Sequence, residues 1–171
     1  MFNKYIKLVI ATAITAWSVM QFMASHIMNG ISLMLLAGIF VFFYFKNEIL
    51  LLAFLRLRKQ DFAGAGKWLD KIKNPQSSLI KNQQGYYYFL QGLLLSQTNI
   101  TAAEKLFKKA LKTGLAMNHD KAMAKMQLAG IAMTKRRKRE ATMLLAEAKK
   151  LDKHNMLAEQ MKMLKQQMKK I

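Results

Sequence analysis

Three stretches decide the fold: residues 62–73, FAGAGKWLDKIK; residues 101–113, TAAEKLFKKALKT; and residues 139–151, REATMLLAEAKKL. They align at a spacing of 38 residues, which brings Ala65, Ala103 and Ala141 into register, then Leu69, Phe107 and Leu145, then Ile72, Ala110 and Ala148. Within each stretch the three positions recur at i, i+4 and i+7, one face of a helix. A fixed period of this size marks stacked supersecondary units that bury little alone and share a core with their neighbours. Upstream, Leu52, Leu90 and Leu128 fall at the same spacing. Each unit therefore reads as two helices, the first over 49–59, 82–97 and 121–134, the second over 62–73, 101–113 and 139–151. Turns are expected at Gln60-Asp61, Thr98-Asn99-Ile100 and Arg136-Arg137-Lys138, with Thr101 as an N-cap leading to Glu104 at N3. A small residue at 65, 103 and 141 lets the second helix approach the first closely, and the bulkier residue four places on fills the groove.

The pattern resembles tetratricopeptide repeats. In the middle unit Tyr87, Leu90, Ala103, Phe107 and Ala110 stand where that family places its large aromatic, leucine, alanine, aromatic and alanine; in the third, Leu128, Ala129, Ala141, Leu145, Ala148, Leu151 and Asp152 match. The departures are Gln91 in the place of the usual small residue, with Gly92 one position late, and a closing proline absent except for the displaced Pro75. The period also exceeds the family's usual length of about 34, the extra residues falling around 74–78 and 114–118. The resemblance implies an α-hairpin solenoid of about three repeats over 47–153 that binds a protein or peptide in its groove. A final helix over 155–171 follows, with Leu157, Met161, Leu164, Met168 and Ile171 in one apolar stripe. Two heptads are marginal for a coiled coil, so 154–171 is expected to be an amphipathic capping helix.

The N-terminal region has a different composition. From Leu8 to Phe45 there is no Lys, Arg, Asp or Glu, and His26 is the one side chain that can take up charge near neutral pH. Apolar runs over 8–24 and 31–45, separated by Ser25-His26 and the turn-forming Asn29-Gly30, are expected to form a transmembrane hairpin over 1–46, the second run being short at 15 residues. Phe42-Phe43-Tyr44-Phe45 suits an interfacial aromatic belt, and Ala11, Ala13, Ala16 and Ala37-Gly38 offer small faces for helix packing. Lys4 and Lys7 before the hairpin, and Lys46, Arg56, Arg58 and Lys59 after it, place both termini in the cytoplasm by the positive-inside rule, an arrangement that suits a bacterial inner membrane. A cleaved signal peptide ending near Met23-Ala24-Ser25 is one competing reading; the core of a soluble helical protein is another, disfavoured because a buried helix pair seldom lacks every charge over so long a stretch. The expected fold class is all-α: two transmembrane helices, the repeat array and the cap.

Composition bounds the chemistry. There is no cysteine, which excludes disulfides, thiolate metal sites and cysteine nucleophiles. His26, His119 and His154 lie far apart without metal-ligand spacing, no glycine-rich phosphate loop occurs, and Gly64 and Gly66 read as packing positions within a helix. No enzyme activity, cofactor or metal is expected. The candidate groove is an apolar face, Tyr88, Gly92 and Leu95 in the middle unit and Met126, Gly130 and Met133 in the third, continued by Leu50, Phe54 and Leu57 in the first. The net charge of +19 suits anionic membrane lipids or an acidic client. The turn Lys135, Arg136, Arg137, Lys138 and Arg139 is its densest part and a candidate acidic-surface contact. The expected function is a membrane-anchored adaptor recruiting a protein or peptide client. Alternatives are a small accessory subunit of a larger integral membrane complex, held through its hairpin, and a tether for an anionic polymer such as RNA, which is placed last because no nucleic-acid motif is present.

Overall fold

The structure is a computed structural model that describes residues 4–45 and 48–169; side chains at 4, 5, 7 and 43–45 are outside the described residues. The side chains of Lys4, Lys7, Phe43, Tyr44 and Phe45 of the predicted membrane flanks, and Lys46 and Ile171 altogether, therefore lie outside the described residues. The described residues form ten helices and no strand: α1 (Lys4–Met23), α2 (Ile27–Phe45), α3 (Glu48–Arg58), α4 (Phe62–Leu69), α5 (Pro75–Ser78), α6 (Lys81–Leu95), α7 (Ile100–Thr113), α8 (Asn118–Thr134), α9 (Lys138–Leu151) and α10 (Ala158–Met168).

The period of 38 reappears as burial. The nine residues that align in α4, α7 and α9 and their ends, from Ala65, Leu69 and Ile72 to Ala141, Leu145 and Ala148, are each no more than 2% exposed. α3 pairs with α4, α6 with α7 and α8 with α9, and successive hairpins stack through α3 and α4 on α6 and through α7 on α8. In the first unit the buried register of α3 differs from expectation: Leu50 and Ala53 are buried while Leu52 is exposed. In the middle unit two glycines set the closeness of α6 to α7. A Cβ on Gly85 would lie 2.0 Å from the Gly114 carbonyl oxygen, and one on Gly92 would lie 2.8 Å from the Phe107 ring. Gly114 ends α7 at φ +109°, a conformation natural to glycine. Gly66, by contrast, has open space around it, and Gly64 sits against the Asp61 carboxylate that caps α4, so neither is a packing position between helices.

The turns close with residues in the left-handed region, Ser25, Gln60, Arg136 and Asn155. At Arg136 the motif is complete: Arg136 N donates to Met133 O at 2.9 Å and Arg137 N to Ala132 O at 2.7 Å, which satisfies the last carbonyls of α8. The N-cap of α7 is Asn99, which accepts from Ala102 N at 3.0 Å, so Thr101 is inside the helix and Glu104 is free for another role.

The two transmembrane helices are not supported. Both predicted runs are helical and α1 packs on α2, but among the described residues no helix is long and apolar enough to cross a membrane. Lys7, Thr12, Thr15, Ser18 and Gln21 interrupt α1, and Asn29, Gly30 and Ser32 occupy the start of α2. This leaves α2 an apolar run over 33–45 of about 20 Å, against a bilayer core of about 30 Å. The integral-membrane localisation, and the topology drawn from it, fall with this finding. The hairpin seam consists of small residues one heptad apart, Ala11 and Ser18 on α1 facing Gly30 and Ala37 on α2, with the Ser18 hydroxyl donating to Gly30 O at 2.7 Å. Ala13, Ala16 and Gly38 lie outside this seam and are exposed.

The two kinds of helical glycine respond oppositely to a methyl group. Gly85→Ala drives its Cβ into backbone and lowers unfolding free energy by about 2 kcal/mol or more; Gly66→Ala, in open space, raises it by about 0.5–1 kcal/mol. Urea unfolding of both variants measures the difference.

Candidate functional site: a covered apolar face and a cationic flank

The groove residues on α8 share one face because Met126, Gly130 and Met133 recur at i, i+4 and i+7. α10 lies on that face. Met126 clusters with Ala122, Ala129, Leu145 and Ala148 beneath Leu157 and Met161, and Met133 clusters with Ala132 and Ala141 against Leu164 and Met168. Above Gly130, the Leu164 Cδ2 lies 3.9 Å from the place a Cβ would take. The α10 helix is positioned by Asp152, a buried carboxylate that accepts from Leu157 N at 2.7 Å and Met156 N at 3.1 Å.

The equivalent residues of α6 lie elsewhere. Tyr88 is buried in the main core, its ring edge-on to Tyr87, with the Lys109 ammonium 4.1 Å from its centroid. Gly92 is buried against Phe107, and Leu95 remains on the surface. Leu50, Phe54 and Leu57 of the first unit also pack into this core. The six groove residues thus make no single open cleft. Three gather under α10, two sit inside the α6–α7 hairpin, and one is at its rim.

Charge is organised around Glu104. Its side chain is 11% exposed and accepts from Lys108 Nζ at 2.7 Å, Lys135 Nζ at 2.6 Å, and Arg137 Nη2 and Nη1 at 3.0 and 3.2 Å. Arg137 also donates to Glu140 at 2.9 Å. The network ties α7 to the turn that opens α9. Of the 135–139 run, Lys135 and Arg137 therefore serve an internal carboxylate, while Arg136, Lys138 and Arg139 face outward. Local spacing in the sequence shows the Glu104–Lys108 pair but not the contacts to residues 31 and 33 positions away. The bidentate hydrogen bonds from Arg137, then those from Lys108 and Lys135, hold the Glu104 carboxyl down at about 2. Arg56 pairs with Asp61 at 2.7 Å, Lys125 pairs with Glu147, and burial pushes the Tyr86 and Tyr87 phenols up. Among the described residues no group of three or more His, Asp or Glu side chains could hold a metal ion.

Because the folded Glu104 carboxyl lies below its ordinary 4.5, its stabilisation is present above that value and is lost as pH falls from about 4.5 to about 2. With exposed partners screening the network, Glu104→Gln costs about 1–2 kcal/mol at pH 7. Thermal unfolding of both chains between pH 7 and 2 should show that difference shrink to nothing at the acid end.

No protein-family model, no curated protein and no solved structure matches the chain.

Proposed function

We propose that the chain is a protein-interaction scaffold of tetratricopeptide-like build whose cationic flank receives an acidic protein partner. The observation that carries this reading is how the few acids are used. Asp61 caps α4 and pairs with Arg56, Glu104 is shared by three cations, Glu140 pairs with Arg137, Glu147 pairs with Lys125, and Asp152 accepts from backbone. With 28 Lys and Arg against 9 acids, internal pairing leaves a large cationic excess outside. That excess is arranged in rows. Lys105, Lys109 and Lys112 are exposed on one face of α7, and Lys138 and Lys149 are exposed along one face of α9. Rows of this kind steer an acidic partner and set its register.

The test is fluorescence anisotropy of a labelled glutamate-rich 20-residue peptide with the full chain. Lys138→Glu combined with Lys149→Glu is expected to weaken binding about tenfold, and raising salt should weaken wild-type binding likewise. Circular dichroism should be unchanged, since neither lysine serves the core. Tighter binding to an oligouridylate than to the peptide would replace this reading by that of a nucleic-acid tether.

A further inference from the structure

The apolar face of α8 and α9 is a docking seat that the chain fills with its own last helix. α10 lays Leu157, Met161, Leu164 and Met168, spaced 4, 3 and 4, across Ala122, Met126, Ala129, Leu145 and Ala148 and across Ala132, Met133 and Ala141. Leu157 and Met161 are buried, but Leu164 and Met168 are only partly so, and Met163 is exposed. The helix has 11 residues and its N-cap Leu157 makes no side-chain cap bond, so it is too short to persist alone. Its hold on the hairpin is apolar, with methionines on both sides that repack readily. The polar additions are the Asp152 cap and a contact of 3.5 Å between Thr142 Oγ1 and Met168 Sδ.

Its charge is wrong for the site. α10 and its C-cap carry Lys162, Lys165 and Lys169 against the single Glu159, and among the described residues no ion pair is formed by these four. On α9, Lys138, Thr142, Leu145 and Lys149 recur at 4, 3 and 4 and share a face. Thr142 and Leu145 of that face meet α10, so Lys138 and Lys149 flank the seat at its two ends. A cationic helix thus lies between cations, held by apolar contact.

From this we infer that α10 is a displaceable occupant, and that the ligand of the seat is an acidic amphipathic helix with the same Leu/Met spacing. Such a helix repeats the apolar contacts of α10 and adds carboxylates that Lys138 and Lys149 can attract. The inference rests on the acidic-partner reading above and gives that partner its shape. Binding then requires α10 to leave, so the observed affinity is the intrinsic affinity reduced by the fraction of chains with the seat open.

The absence of native cysteine allows a clean lock. Thr142→Cys with Met168→Cys places two thiols where side chains already touch, and a short bis-maleimide serves in place of a disulfide if the disulfide does not close. The probe is an 18-residue peptide with leucines at positions 1, 5, 8 and 12 and glutamates on the remaining face, titrated against the full-length variant. Protein without the lock is expected to bind at least about tenfold more tightly than the locked form, with recovery on reduction where the lock is the disulfide. Amides of residues 158–168 should lose hydrogen-exchange protection when the peptide binds. Leu164→Ser with Met168→Ser, which loosens α10 without a lock, should tighten binding severalfold. Equal affinity in locked and open forms, with 158–168 still protected, overturns the displacement. If a glutamate peptide without leucines binds both forms and loses affinity with Lys138→Glu and Lys149→Glu, the acidic-partner reading survives that failure. If neither peptide binds the reduced protein, both fall.

Discussion

The structure depends on how closely the second helix of each hairpin approaches the first. At Ala65, Ala103 and Ala141 only a methyl group stands between them, and each is fully buried. In the middle unit the first helix contributes its own small residues, Gly85 beneath the C-terminus of α7 and Gly92 beneath Phe107. This lets the Phe107 ring lie 5.9 Å from Phe89 and fill the space that the small residues leave. Large against small at facing positions is what gives a core its density. Without it the hairpins could not present flat faces to one another, and the stack of α3–α4, α6–α7 and α8–α9 would lose its repeat.

Electrostatics supplies the second tie. A chain with so many lysines repels itself unless its carboxylates are well placed, and Glu104 is placed between a hairpin and the turn of the next. Charge-assisted, bidentate contact with Arg137 is stronger and more directional than a lysine pair. It also anchors a turn whose Arg136 is held in the left-handed region, a conformation that costs a non-glycine residue about 1–2 kcal/mol. The same contacts tie Lys135 and Arg137 to Glu104, so the densest basic run in the chain is partly structural even though Arg137 stays 40% exposed.

Two surfaces remain where apolar groups and their coverage are unequal. The face of α8 and α9 is covered by α10, whose own end is only half buried. The outer sides of α1 and α2 expose Trp17, Met20, Met28, Met34 and Leu35 while their seam is built mainly on small residues, with the Phe22 ring against Gly30. In both places close apolar packing carries the contact, with few polar bonds to give it direction.

The helical hairpins, their period and the identity of the nine buried core positions could all be read from sequence, because helix faces follow local spacing and a repeat restates the same local rule three times. The single apolar stripe of the last helix could be read in the same way, but not that it lies against α8 and α9. Local spacing was insufficient elsewhere. Leu52 matched the repeat by number, yet in the first unit no preceding repeat forces that register, and Leu50 and Ala53 turn inward instead. The apolar runs at the N-terminus were legible as a helical pair, but membrane-spanning length depended on where each helix begins and on the polar residues it takes in. Glu104 looked like a cap residue until Asn99 took the cap and residues 31 and 33 positions on came to it. The groove of six residues was drawn from periodicity, which says which residues share a face, and from the architecture that the resemblance implies. Only the tertiary structure decides what lies on that face, because contacts between distant segments depend on stacking geometry and on the chain's own last helix.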